Sequence, residues 1–148
     1  MARTGRPKTI GKLRRSGYHV LSVREELRKN LIAKIETGER LFPGIIGFDE
    51  TVVPQIENAI LAGQHIILLG ERGQAKSRII RQMVGLLDDV VPVIAGCEVN
   101  DSPYDPICRS CKDKVAADGD GVRIDWLPRD RRYGEKLATP DVSVADLI

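Results

Sequence analysis

The 148-residue sequence has no run of about eighteen apolar residues, the length a membrane helix needs. Nor does an apolar stretch follow its basic N-terminus, so nothing there reads as a secretory signal. The address is therefore expected to be cytoplasmic, with no membrane among the partners. Positions 1–20 have no acidic residue at all, while Arg3, Arg6, Lys8, Lys12, Arg14 and Arg15 make them strongly basic. With 23 basic and 21 acidic residues in the whole chain, the remainder is net acidic and the charge of +2 belongs to the tail. Charged tails are commonly solvated, so residues 1–20 are expected to be a disordered arm. Its Thr4–Lys8, "TGRPK", has a faint likeness to a minor-groove hook, in which arginines flanking Gly-Pro enter A·T-rich DNA. Nucleic acid is thus the alternative partner, not the expected one.

What is present is enough for a domain with its own core, at 42% hydrophobic and 30% charged residues. In residues 21–63 helix signals dominate. Ser22 with Glu25 three positions on makes a capping box, Val23, Leu27, Leu31 and Ile35 recur at helical spacing, and Gly38 stands where a C-cap belongs. A second helix is expected over Thr51–Ala62, with Pro54 tolerated in its first turn, Val53, Ile56 and Ile60 on one face, and Gly63 ending it. Between them, "LFPGIIGFDE" (Leu41–Glu50) reads as an apolar, glycine-flanked loop packed against something.

From residue 64 the pattern changes. "HIILL" (His65–Leu69) is apolar without alternation, as a strand buried on both faces of a parallel sheet would be. "GERGQAKS" (Gly70–Ser77) then meets the phosphate-loop pattern G-x-x-x-x-G-K-[ST] except that Ala75 replaces a glycine. A helix is expected over Lys76–Leu87, and Val90–Gly96 supplies another strand, which together make a βαβ unit. In such a loop, backbone N–H groups and the helix N-terminus hold phosphate oxygens. Gly70 ends the strand, Gly73, Gln74, Ala75, Lys76 and Ser77 would supply the amides, Lys76 the mobile cation, and Ser77 a Mg²⁺ contact. Ala75 is expected to be right-handed, as a first-turn residue should be, and so to cost little and spare phosphate binding; it would matter if φ had to be positive. Residues 97–121 read mostly as a polar loop inserted in this unit, with "VRIDWL" (Val122–Leu127) a short strand and "SVADLI" opening a helix at Ser143.

Four stretches together carry a family resemblance. "LFPGIIGFDETVVPQIENAILAG" with "IILLGERGQAKSR" resembles the start of an AAA+ ATPase module of the magnesium chelatase I-subunit and MoxR-like group; "GCEVNDSPYDPIC" and "TPDVSVADLI" resemble later parts. The resemblance covers roughly residues 20–148, and alanine in the loop is typical of one branch of that group. It implies an incomplete three-layer α/β/α P-loop NTPase core with a parallel sheet over residues 64–148, preceded by N-terminal helices. It implies ATP and Mg²⁺ as cofactors, Lys76 as the catalytic cation, and Gly70, Glu71, Arg72, Gly73, Gln74, Ala75, Lys76 and Ser77 around the phosphates. Ile45, Ile46 and Gly47 would lie on the adenine. A ring of subunits and a protein client or metal insertion as the output are implied too. Hydrolysis also needs an apolar strand ending in Asp-Glu. Only Asp88-Asp89 and Asp125 come near, so the expectation is the N-terminal part of a longer ATPase, inactive alone.

Cys97, Cys108 and Cys111 are spaced as C-x₁₀-C-x₂-C. A Zn²⁺ site or plain thiols in a polar insertion are the two readings. The fourth ligand is missing from the pattern: His65 and His19 are badly placed, and Asp105 or Asp113 is nearer. A redox role is disfavoured because such a CxxC should open a helix, whereas this one is expected on a loop.

Overall fold

The computed structural model describes residues 5–136, 143 and 145. Among these residues five helices, α1 (Ile10–Arg15), α2 (Val23–Thr37), α3 (Val52–Leu61), α4 (Lys76–Met83) and α5 (Arg109–Asp118), accompany two strands, β1 (Val90–Ile94) and β2 (Ile124–Pro128). Short 3-10 turns follow α4 at Val84–Leu86, α5 at Gly119–Gly121 and β2 at Arg129–Arg132. None of the described helices is long and apolar enough to cross a membrane. The helix expected at Ser143–Ile148 falls, apart from Ser143 and Ala145, outside the described residues.

Helix α2 begins as its sequence dictates. The Ser22 Oγ accepts from the Glu25 backbone N–H, and the Glu25 carboxylate accepts from the Ser22 N–H at 2.8 Å, so two orphan donors are satisfied reciprocally. Gly38 closes it in the left-handed region at φ 71°, where a Cβ would be strained. Helix α3 buries Ile56 and Ile60 against Leu31 of α2, Ile79 of α4, Leu86, and Leu41, Phe42 and Ile45 of the intervening loop. This cluster takes residues from both sides of the boundary expected at residue 63.

The second cluster corrects the expectation of a disordered arm. Thr9 caps α1, and Ile10 and Leu13, one turn apart on the same face, are wholly buried with Ile94, Cys111, Val122 and Ile124. Each such side chain contributes about 1.5–3 kcal/mol, enough to hold a charged segment whose cations point outward. The backbone is tied as well: Ile10 N–H donates to the Val122 carbonyl at 3.0 Å and Ile124 N–H to the Lys8 carbonyl at 3.1 Å, with Thr9 bridging Arg123. The Trp126 indole N–H donates to the Pro7 carbonyl at 2.9 Å, and Arg6 lies over the Trp126 ring. From Gly5 onward the hook-like stretch is therefore docked on the protein.

Strands β1 and β2 pair antiparallel, Val90 opposite Pro128 through Ile94 opposite Ile124. Among the described residues no parallel pair occurs, and His65–Leu69, read as a doubly buried strand, forms no ladder there. Its burial alternates instead. Ile66 and Leu68 are half-buried against the first cluster, while Ile67 and Leu69 are 83% and 89% exposed. Helix α4 also stops earlier than expected, at Met83, its last turn tightening into the 3-10 form. The polar insertion at 97–121 is not all loop, since α5 occupies its second half.

A buried ion pair joins the two clusters. Glu26 on α2 is 2% exposed and receives Arg132 in bidentate geometry, both contacts 2.6 Å. Glu26 also accepts the Asp88 backbone N–H, and Lys29 and Asn30 of α2 donate to the Asp88 carboxylate. The α2 face thus clamps the link between α4 and β1.

Candidate functional sites

The phosphate-loop residues form an open turn leading into α4. Gly70 has φ 156° and Gly73 φ 84°, and a Cβ on Gly70 would collide with the Gln74 side-chain oxygen. Ala75, the N-cap of α4, sits at φ 54° and ψ 11°, in the left-handed region. The expected right-handed, unstrained alanine is therefore corrected: the chain must reverse into the helix here, and the missing glycine costs about 1 kcal/mol or more. Alanine offers no side-chain cap and the first turn of α4 has no acidic residue, so its orphan N–H groups face outward without an internal acceptor from that cap. Lys76 Nζ folds back onto the Gly70 carbonyl at 2.8 Å and onto that of Glu71. Arg72, Gly73, Gln74, Ala75, Lys76, Ser77 and Arg78 line a cavity of about 450 Å³. Unsatisfied amides, a positive helix end and three cations form a donor set that fits the phosphates of ATP, and Ser77 offers the hydroxyl expected beside Mg²⁺.

The segment expected on the adenine divides. Ile45 is buried in the first cluster, Ile46 is 84% exposed, and Gly47 turns the chain at φ 87°. It does approach α4: the Arg78 guanidinium packs on Gly44, and Gln82 donates to the Pro43 carbonyl at 3.2 Å. The acidic candidates for hydrolysis are engaged elsewhere. Asp88 binds Lys29 and Asn30, Asp89 binds Arg129, and Asp125 is exposed on β2.

The second site gathers all three cysteines. Cys97 follows β1, Cys108 is the N-cap of α5 and Cys111 lies in its first turn, so this CxxC does open a helix and is not on a loop. The side chain that completes the group is Asp101, which the sequence reading passed over in favour of Asp105 and Asp113. Asp105 is exposed and Asp113 pairs with Arg109. Asn100, left-handed at φ 55°, closes a turn that brings the Asp101 N–H onto the Cys97 Sγ at 3.4 Å. The ligand atoms of Cys97, Asp101, Cys108 and Cys111 all lie within 4.8 Å of one another. Only the turn-forming "NDSP" hinted at this, and an aspartate in such a stretch ordinarily faces solvent.

Electrostatics distinguish the members. The Asp101 N–H lowers the Cys97 thiol, whereas burial pushes Cys111 up to about 12. Burial opposes ionisation of Asp101, but hydrogen bonds from Cys108 outweigh it and hold the carboxyl below its usual range.

With this geometry in view, sequence comparison points to a chelatase subunit as the class of protein the chain is similar to. The relative is magnesium-chelatase subunit ChlI-2, chloroplastic, from Arabidopsis thaliana, 31% identical over 125 residues. The match covers 76% of this chain and 29% of the relative, so the chain spans less than a third of that protein's length. No family model matches the chain, and no solved structure matches it.

Proposed function

We propose that this chain is the nucleotide-binding part of an AAA+ ATPase of the magnesium chelatase I-subunit and MoxR-like type. The observation that carries the reading is the glycine-rich turn of residues 70–75 entering α4 at an uncapped N-terminus, with Lys76 turned over it. The chelatase-subunit relative supports it. In this reading the amides from Gly73 to Ser77 bind phosphate oxygens, and Lys76 leaves the Gly70 and Glu71 carbonyls for the β- and γ-phosphates. Glu71 and Arg72 flank the turn, and Ile45, Ile46 and Gly47 border the base. Ser77 would hold Mg²⁺, which would neutralise phosphate charge when bound.

In this reading His65–Leu69 becomes a strand of a parallel sheet when further strands of a longer protein pair with it and cover the exposed Ile67 and Leu69. Hydrolysis, a homo-oligomeric ring and remodelling of a client or insertion of a metal belong to that longer protein.

Binding of a fluorescent ATP analogue tests the proposal. Lys76→Ala removes a charge-assisted contact of about 1.5–3 kcal/mol and is expected to weaken binding at least about tenfold, with the helical circular dichroism unchanged. Undiminished affinity would refute the assignment of this loop.

A further inference from the structure

We propose that Cys97, Asp101, Cys108 and Cys111 bind one zinc ion, which ties the turn after β1 to the N-terminus of α5. The spacing suits the metal. Cys97 Sγ and Cys108 Sγ are 3.9 Å apart. Zn–S bonds of about 2.3 Å place two tetrahedral ligands about 3.8 Å apart, whereas a disulfide requires about 2.05 Å.

The carboxylate gives an independent argument. Glu26 and Asp101 are the buried acidic residues among those described, at 2% and 4% exposure. Glu26 has Arg132 against it; no ion pair to Asp101 occurs among the described residues. Buried charges are paired or coordinate metals, because an uncompensated carboxylate out of water is costly. The Cys108 backbone N–H donates to the Asp101 carboxylate at 3.0 Å and three sulfurs complete its surroundings; as thiolates beside a carboxylate they need a cation to balance their charge.

The surroundings of two of the sulfurs already suit thiolates. The Asp101 N–H points at Cys97 Sγ and the Cys111 N–H at Cys108 Sγ, both at 3.4 Å. Such N–H contacts orient ligands and take up part of their charge. Lys114 lines the adjoining cavity of about 380 Å³ and offsets part of the remaining negative charge. Three sulfurs and one carboxylate select zinc over Mg²⁺ or Ca²⁺, and four protein ligands leave no open position, which makes the site structural. Binding forms three Zn–S bonds and one Zn–O bond while the thiol protons pass to solvent, with no change of oxidation state.

The test uses the full chain, purified under reducing conditions and analysed for metal. About one zinc per chain is expected, and Co²⁺ in its place should give thiolate charge-transfer absorption with the intense visible bands of a tetrahedral ion. Asp101→Asn and Cys108→Ser should each weaken zinc binding by at least about 100-fold, judged by competition with a chromophoric chelator while circular dichroism reports folding. Lys76→Ala should retain the metal, which keeps this result separate from the fate of the nucleotide loop. A chain that retains no zinc and gives no thiolate–cobalt band overturns the proposal. So does wild-type zinc affinity in either variant, or a Cys97–Cys108 disulfide in the freshly purified protein, seen as the loss of two hydrogens by mass.

Discussion

At the scale of single residues, Ala75 shows how a motif can hold its shape with the wrong side chain. Its φ of 54° is imposed by the reversal from the glycine-rich turn into α4, not by any preference of alanine. Ala75→Gly should therefore stabilise the chain by about 0.5–1 kcal/mol, since relief of left-handed strain exceeds the added entropy of the unfolded glycine. A shift of the urea midpoint to higher concentration at constant slope is the expected reading, and a shift downward would show that the reversal lies elsewhere. The glycine-rich turn at Gly70 and Gly73 and the start of α4 at Lys76 were legible because both are set by local order in the chain. Asp101 was not, because its role depends on a turn at Asn100 and on two cysteines that arrive from α5.

At the scale of elements, local signals that satisfy themselves were the readable ones. The Ser22–Glu25 box and Gly38 fix α2 within their own segment, and Pro54 and Gly63 bracket α3. Helix α1 was hidden because its two buried apolar side chains, Ile10 and Leu13, stand among three cations that dominate its composition. Helix α5 was hidden because its buried residue, Cys111, stands in a largely polar stretch with little apolar periodicity. The strands β1 and β2 were foreseen as segments, but partner and direction are set by chain geometry outside either one.

The α2 clamp on Asp88 has a pH signature. Burial raises the Asp88 pKa, yet hydrogen bonds from Lys29 and Asn30 and the nearby Arg132 charge outweigh it, so the folded value lies below the ordinary 3.8. A group depressed in the folded state contributes its stability above the unfolded pKa and loses it as pH falls through the folded one. Wild-type chain should therefore lose stability from about pH 4 downward, and Asp88→Asn should flatten part of that loss. Urea titrations at pH 5 and pH 3 measure the difference; parallel behaviour of the two proteins would argue that the clamp does not form in solution.

At the scale of the molecule, two apolar clusters are joined at one face, and a third apolar surface is left open. Ile67 and Leu69 project outward beside a core that already holds Ile66 and Leu68. Exposed apolar side chains of this size favour association. This chain should bind a hydrophobic dye and show concentration-dependent sedimentation, and Leu69→Gln should reduce both without lowering the urea midpoint. A lowered midpoint would mean that Leu69 is covered within the chain.

The docking of Thr9 and Ile10 beside residues 122–126 also orders events in time. Helix α1 leaves the ribosome more than a hundred residues before the strand that covers it. Closing so long a loop adds only slowly to the entropic cost, but nothing offsets that cost until β2 exists. The basic N-terminal segment must therefore wait, exposed and charged, while the body of the chain folds, and its docking is one of the last contacts to form.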